Sequence, residues 1–247
     1  FRPDRGWLKP ALVLGVVLSL MTAAQSGAFL AVVDVDTFWH TALLPVLMLT
    51  SGVTAGAAAL LFVRAYLTGP GLGGVRERTQ DALAALSLLR RVVLAGLVTY
   101  FVLEFAEISV VSWGDLDRSP ELSMILTGRY WWVFWLVHVV LGGVVPFALL
   151  VTRRPLAWVT AGALVAVAFI STRLNVLIPG QSVGELEGLQ DAYSHPRLDY
   201  VYDATLMEYL VAIFCLALAM VLLYLGLRVT ATVESRIAGR EARHVQN

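Results

Sequence analysis

The stretch LAWVTAGALVAVAFISTRLNVLI, residues 156–178, contains a single charged side chain, Arg173. About 20 consecutive apolar residues form a helix long enough to cross the roughly 30 Å hydrocarbon layer of a membrane. The stretch shows no alternation of apolar and polar residues with a period of two, which would indicate a strand of a transmembrane barrel. It therefore predicts a transmembrane helix, and it raises the question of why that helix carries a permanent cation.

Five further stretches have the same character, and together they indicate the fold class. The chain is 58% hydrophobic and 15% charged, with a mean hydropathy of +0.76, whereas soluble domains contain about 25% charged residues. The predicted spans are residues 11–33, 38–63, 92–113, 130–151, 156–178 and 206–227. We therefore expect an all-α integral membrane protein with six transmembrane helices.

The single cysteine and the few histidines limit the cofactors that this chain can hold. Cys215 alone cannot form an intrachain disulfide, an iron–sulfur cluster or a thiolate zinc site. A transmembrane b-type haem needs two facing histidines, but His40 lies at the outer end of the second span and His138 near the middle of the fourth. We predict no haem and no metal in this chain, so electrons that reach it need a partner. No basic stripe indicates nucleic-acid binding.

The distribution of basic residues predicts the orientation. Most of the 18 lysine and arginine residues lie on one side of the predicted spans, and only Arg118, Arg129, Arg173 and Arg197 lie towards the other. The positive-inside rule then places both termini of this chain in the cytoplasm and the protein in the inner (plasma) membrane. The loops on the outer side are acidic, and the first residue, Phe1, leads us to expect that the start of the protein is missing.

Two connecting segments are long. The inner loop TGPGLGGVRER, residues 68–78, is rich in glycine, but no strand precedes it and no Gly-Lys-Ser/Thr follows, so a flexible loop is favoured over a phosphate site. The outer segment, residues 179–204, is acidic and aromatic. A segment of that length is usually functional or disordered. A surface that meets another subunit and a solvated loop both remain open.

Ionisable side chains inside a span are costly, about 3 kcal/mol or more each, and are usually paired or functional. The predicted spans contain five: Glu104, Glu107, His138, Arg173 and Glu208. Counted from the inner ends of their helices, Glu104 lies about 20 Å deep and Arg173 about 25 Å deep, at 1.5 Å per residue. Glu107 lies one turn beyond Glu104 on the same face. Arg173 therefore has several carboxylates at its own height.

Two interpretations of this cluster stay open. Arg173 and one carboxylate, with Glu104 the expected partner, would form a structural ion pair. Alternatively, the group forms a proton path, because burial favours the neutral carboxyl and an adjacent cation favours the charged one. A carboxyl held between these effects can both accept and release a proton, with Glu107 or Glu208 as the relay. His138 is either a hydrogen-bonded core histidine or a member of that path.

Four sequence segments, taken together and in order, resemble the C-terminal portion of the NrfD/polysulfide reductase membrane-subunit family. They are SGAFLAVVDVDTFWHTALLPVLMLTSGVTAGAAALL (residues 26–61), WWVFWLVHVVLGGVVPFALL (131–150), RLNVLIPGQ (173–181) and YDATLMEYLVAIFCLALAMVLLYL (202–225). The family has a Trp that opens a helix before a Leu-Leu-Pro step, an Arg…Gly-Gln signature, and a Tyr-x-Pro-Ser/Thr-x-x-Glu element that opens the last helix. Here Ala204 replaces the proline of that element, and Thr205 can still cap the helix.

The resemblance implies a haem-free membrane anchor that exchanges electrons between quinone or menaquinone and a ferredoxin-like iron–sulfur subunit. Further partners implied are a molybdopterin catalytic subunit or a cytochrome c subunit. It also implies quinone binding at Gln25 and Ser26, where the family often has Tyr-Thr/Pro, so this site departs from the pattern. The proton path implied for the helix bundle comprises Glu104, Glu107, His138, Arg173 and Glu208.

The family is built from two similar four-helix bundles, which implies a division of this chain. Residues 1–35 correspond to the last helix of a first, largely missing bundle, and residues 36–180 to the second bundle, made of the second to fifth spans. Residues 181–204 are then an outer loop, and residues 205–247 a final transmembrane helix with a cytoplasmic tail. The resulting hypothesis is a subunit of a quinone-linked respiratory oxidoreductase. The alternative is a proton or ion carrier, or a small transporter, without redox chemistry.

Overall fold

The computed structural model describes residues 8–32, 38–39, 41–68, 79–115, 119–183, 188, 192, 195 and 203–245. Every regular element in those residues is helical. Six helical segments among them, two of which consist of consecutive helices, are long and apolar enough to cross a membrane. The predictions of an all-α fold and of six spans are therefore confirmed. The chain forms two compact units, Phe1–Tyr200 and Val201–Asn247.

Each predicted span coincides with helical structure. The first unit contains α1 (Leu8–Ala31), α2 (Leu44–Thr68), α3 (Thr79–Asp115), α4 (Pro120–Leu126), a π-helix (Val133–Val144), α5 (Val145–Val151), α6 (Pro155–Ala168) and α7 (Ile170–Ser182). The second unit contains α8 (Leu206–Val245). The helices α3 and α8 extend beyond their predicted spans by more than three turns. Sequence periodicity missed the short helix α4 and the wide π-helical turns of the fourth span.

The fifth predicted span is two helices. The chain turns at Phe169, between α6 and α7, and the Thr172 N–H donates to the Phe169 carbonyl at 3.2 Å. The Ser171 hydroxyl donates to the Ala168 carbonyl, which satisfies an acceptor at the end of α6. The break therefore brings a serine hydroxyl into the interior of a segment that looks uniformly apolar.

The core of the first unit lies where α2 meets α3 and α6. Its most buried apolar side chains, each 0–2% exposed, include Ala58, Leu61, Val93, Leu97, Leu150, Ala161, Val165 and Phe169. Gly162 lets α6 approach α2 closely, because a Cβ at this position would lie 2.8 Å from the Ala58 carbonyl oxygen. Small residues allow such close contacts between membrane helices, where close packing stabilises their association.

Two side chains tie the ends of this core. Near the predicted inner side, Arg90 Nε donates to the Leu150 carbonyl at 2.5 Å, and its guanidinium carbon lies 5.0 Å from the centre of the Trp158 ring. Near the predicted outer side, Trp39 Nε1 donates to the Val176 carbonyl at 2.9 Å. The arginine therefore contacts both α5 and α6 from α3, and the tryptophan connects the segment before α2 to α7.

The second unit begins with a reciprocal cap. The Thr205 N–H donates to Glu208 Oε2 at 2.6 Å, and the Glu208 N–H donates to Thr205 Oγ1 at 3.3 Å. This is a capping box, in which each side chain satisfies a backbone donor at the helix start. The predicted role of Thr205 as a cap is confirmed. Glu208 thus stabilises the start of α8.

Some predictions concern residues outside the described ranges. His40, Tyr202, the glycine-rich loop after Thr68 and most of the outer segment 179–204 lie there. The interpretations of these residues therefore remain predictions.

Candidate functional site

Glu104 of α3 is paired with His138 of the π-helix. His138 Nε2 lies 3.0 Å from the Glu104 carboxylate, and the imidazole is fully buried. The Tyr100 hydroxyl, one turn before Glu104, donates to Glu104 Oε1 at 2.9 Å. A buried carboxylate is costly unless it is paired and hydrogen-bonded, and here both conditions are met.

Ser171 completes the chain of hydrogen bonds and constrains where the protons lie. The Ser171 hydroxyl donates its proton to the Ala168 carbonyl, so its oxygen accepts from His138 Nδ1–H at 3.0 Å. One proton then lies between His138 Nε2 and Glu104, since the two atoms would otherwise both be acceptors. Two protonation states fit this hydrogen bond. Either an imidazolium donates to the Glu104 carboxylate, or a protonated Glu104 carboxyl donates to a neutral imidazole. The pair can therefore hold a proton on either partner.

The imidazole is surrounded by aromatic rings. Their centres lie 5.3–6.0 Å from that of His138, and they belong to Tyr100, Phe101, Phe134 and Phe169. Gly143 makes room for one of them, because a Cβ at this position would lie 2.6 Å from the Phe101 ring. The rings keep solvent from the far side of the imidazole and leave Glu104 as its charged neighbour.

On its other side Glu104 borders a partly open cavity. Glu107 borders the same cavity, which confirms the expectation that the two side chains share a face of α3. Its walls are mostly apolar and come from α2, α3, α4, the π-helix and α7. Two polar side chains of α7, Thr172 and Asn175, also line it and are 2% and 6% exposed.

A larger cleft lies between α1 and α7. It has a volume of about 580 Å³, within the range of about 300–1,000 Å³ that is typical of small-molecule sites. The residues that border it are Thr22, Gln25, Ser26, Phe29, Leu30, Trp39, Met48, Arg173, Leu177 and Gln181. The polar residues Gln25 and Ser26, singled out in the sequence, therefore lie with Arg173 and Gln181 around one apolar cleft.

The expected pairing of Arg173 with Glu104 is not observed. Glu104 has His138 and Tyr100 as partners, and in the described part of the chain Arg173 forms no ion pair. Depth along a helix gives the height of a side chain but not its direction. Arg173 occupies the stripe of α7 that faces the cleft, while Ser171, Thr172 and Asn175 lie on the buried stripe.

Sequence reasoning found Glu104, Glu107 and His138 and missed the partners that hold them. Tyr100 could have been found, because it lies four residues before Glu104, where helical side chains meet. The polar run in ISTRLN signals Ser171, Thr172 and Asn175, although the charge of Arg173 dominates the stretch. Among the described residues, no group of three histidine, cysteine, aspartate or glutamate side chains could hold a metal ion.

Comparisons with known proteins indicate the family. The family model described as "Polysulphide reductase, NrfD" matches residues 6–184. A selenate reductase subunit of Mesobacillus selenatarsenatis is 24% identical over 82% of this chain and 46% of its own length. The Hdr-like menaquinol oxidoreductase integral membrane subunit of Archaeoglobus fulgidus is 25% identical over 90% of this chain and 57% of its own length.

Protein NrfD of Escherichia coli is 29% identical over 55% of this chain and 40% of its own length. The chain thus spans about half the length of the relatives that it matches. No solved structure matches it significantly. The family model covers most of the chain, and five of the six apolar helical segments lie within the matched residues. This chain is therefore a multi-pass membrane protein that belongs to the NrfD polysulphide reductase family.

Proposed function

We propose that this chain is the haem-free membrane subunit of a respiratory oxidoreductase complex, where it exchanges electrons between membrane quinone and an iron–sulfur partner subunit. The observation that carries the proposal is the cleft lined by Gln25, Ser26 and Arg173. Two relatives support it, because one is named as a subunit of selenate reductase and another as a subunit of a menaquinol oxidoreductase. The terminal partner is a molybdopterin catalytic subunit or a cytochrome c subunit.

The chemistry of the cleft suits a quinone head group. A quinone is a flat apolar ring with two carbonyl acceptors, and the apolar walls include Phe29 and Leu177. Ser26 already donates to the Ala23 carbonyl at 2.8 Å, so its hydroxyl proton is in use. Gln25 and Arg173 are the donors that we assign to the quinone carbonyls. A guanidinium keeps its proton at every working pH, so Arg173 also stabilises negative charge on a reduced ring.

The path for protons that accompany quinone chemistry runs through the helix bundle in this proposal. His138 and Glu104 share a proton, and Glu107 lies one turn away on the same cavity wall. A group that both accepts and releases a proton is what such a path requires. We assign Arg173 to its quinone end and keep Glu208, at the start of α8, as a proposed relay.

We retain the division of the chain as part of the same proposal. α1 corresponds to the last helix of a first bundle, α2 to α7 form the second bundle, and α8 is an additional helix. The cleft borders both α1 and α7, so quinone would bind where the two bundles meet. Both termini of this chain would lie in the cytoplasm.

Purification from native membranes tests the proposal. The complex should contain an iron–sulfur subunit, detected by electron paramagnetic resonance, and bound quinone, detected by extraction and chromatography. Gln25→Leu should lower the quinone content, whereas Ser19→Ala should not, because Ser19 lies on the same helix but does not border the cleft. A chain that purifies with neither an iron–sulfur subunit nor quinone would favour the transporter alternative and contradict this proposal.

A further inference from the structure

Two buried polar groups on the inner stripe of α7 lack hydrogen-bond partners. Asn175 Nδ2 makes no hydrogen bond. Thr172 Oγ1 lies near the Tyr100 hydroxyl, but it does not reach hydrogen-bonding geometry with that group or with any other. The proton of that hydroxyl is committed to Glu104. A buried polar group without a partner costs about 1–3 kcal/mol, so two such groups in one place call for an explanation.

Both groups line the cavity that Glu104 and Glu107 border. Its remaining walls are mostly apolar and include Leu44, Ile108 and Leu122, and no described protein group donates to or accepts from these two side-chain atoms. The polar groups therefore converge on the cavity from α3 and α7.

The size of the cavity limits what can satisfy these groups. About 70 Å³ of it is open to the centres of water-sized molecules, and one bound water needs about 10–15 Å³ by this measure. Several waters therefore fit. The cleft beside α1 offers about 580 Å³ by the same measure, so a quinone ring is better accommodated there.

We propose that this cavity is a binding site for a small cluster of water molecules, held by Thr172 and Asn175, which connects Glu107 to the Glu104–His138 pair. Buried waters typically make about three hydrogen bonds each, and the cavity offers carboxylate, hydroxyl and amide groups as partners. That the cluster conducts protons rests on the proposed function, but its presence does not. Thr172 and Asn175 are then positioning residues for water.

Hydroxyl-radical footprinting with synchrotron X-rays tests this on the complex in native membranes. X-rays split bound water where it lies, and the radicals oxidise nearby side chains, which mass spectrometry then locates. Tyr100 and Phe134 line the cavity and are 2% and 4% exposed. Phe169 is 1% exposed and does not line it. Oxidation of Tyr100 and Phe134 well above that of Phe169 is therefore expected.

Two variants separate bound water from general exposure. Asn175→Leu should remove most of the oxidation of Tyr100 and Phe134, and Thr172→Val should remove part of it. If Asn175→Leu misfolds, Phe169 becomes oxidised as well, and Thr172→Val then decides. The proposal is overturned if Tyr100 and Phe134 are oxidised no more than Phe169, or if neither variant changes them. Quinone binding does not enter this measurement, so its failure leaves the proposed function standing, and the reverse also holds.

Discussion

The two faces of α7 differ in burial and in chemistry. The inner face carries Ser171, Thr172 and Asn175, which are 2–6% exposed and meet the Glu104–His138 pair or its cavity. The outer face carries Arg173 and Gln181, which are exposed and border the cleft beside α1. One helix therefore contributes uncharged polar groups to the surroundings of the Glu104–His138 pair and a permanent cation to an open cleft.

The largest difference in the free energy of unfolding is expected between His138→Leu, beside the inner face of α7, and Arg173→Leu, on its outer face. His138→Leu leaves Glu104 without its ion-pair partner, and breaking a buried pair in this way costs about 3–5 kcal/mol. Arg173→Leu removes an exposed side chain that forms no ion pair with any described residue, and such substitutions usually change stability by less than about 0.5 kcal/mol. Thermal unfolding in detergent, followed by circular dichroism, compares them. If the two variants lose the same amount of stability, the distinction between the two faces of α7 is wrong.

Gly143→Ala tests the packing of the aromatic rings that surround His138, next to the inner face of α7. The new methyl group would lie 2.6 Å from the Phe101 ring, so the ring must move, and overpacking costs about 1–3 kcal/mol. Gly142→Ala is the matched control, because its nearest neighbour, the Ala168 Cβ, is 3.3 Å away. The same unfolding measurement should rank Gly143→Ala as the less stable variant. The reverse order would show that Phe101 does not hold this position.

The smallest effect should come from the serine at the helix break. Ser171→Ala removes the hydroxyl between His138 and the Ala168 carbonyl, and the loss of such a hydrogen bond costs about 1 kcal/mol. Thr172→Val, at the next residue, breaks no completed hydrogen bond between protein groups and should cost less. Unfolding midpoints of the two variants measure the difference. A larger loss for Thr172→Val would contradict the hydrogen-bond assignment at Ser171.

The sequence could predict the spans because the cost of placing polar groups in hydrocarbon sets both the length and the composition of a spanning helix. It also singled out Glu104, Glu107 and His138, since ionisable residues are rare inside spans. The direction of each side chain could not be predicted in the same way. The turn at Phe169 and the π-helix change the angular positions of later residues, and an unbroken apolar run does not reveal either feature.

Arg173 illustrates this difference. Counting residues along the helix predicted a height for Arg173 but not the direction of its side chain, and that direction decides between the inner face and the cleft. Gln25 and Ser26 were singled out by resemblance, and the cleft brings them near Arg173 through the approach of α1 to α7. That approach depends on contacts between distant segments, for which a single sequence offers no direct signal.

The central claim is that the outer face of α7 binds quinone and the inner face transfers protons. It is tested by measuring turnover and proton transfer as a function of quinol concentration, in vesicles that contain the whole complex. Arg173→Leu should raise the quinol concentration needed for half-maximal turnover and leave unchanged the number of protons moved per quinol. Arg173→Lys should show a milder shift, because it keeps the charge but loses the planar fork. Glu104→Gln should instead lower the number of protons moved and leave the half-maximal quinol concentration unchanged. Loss of proton transfer in Arg173→Leu with unaltered quinol dependence would contradict the account.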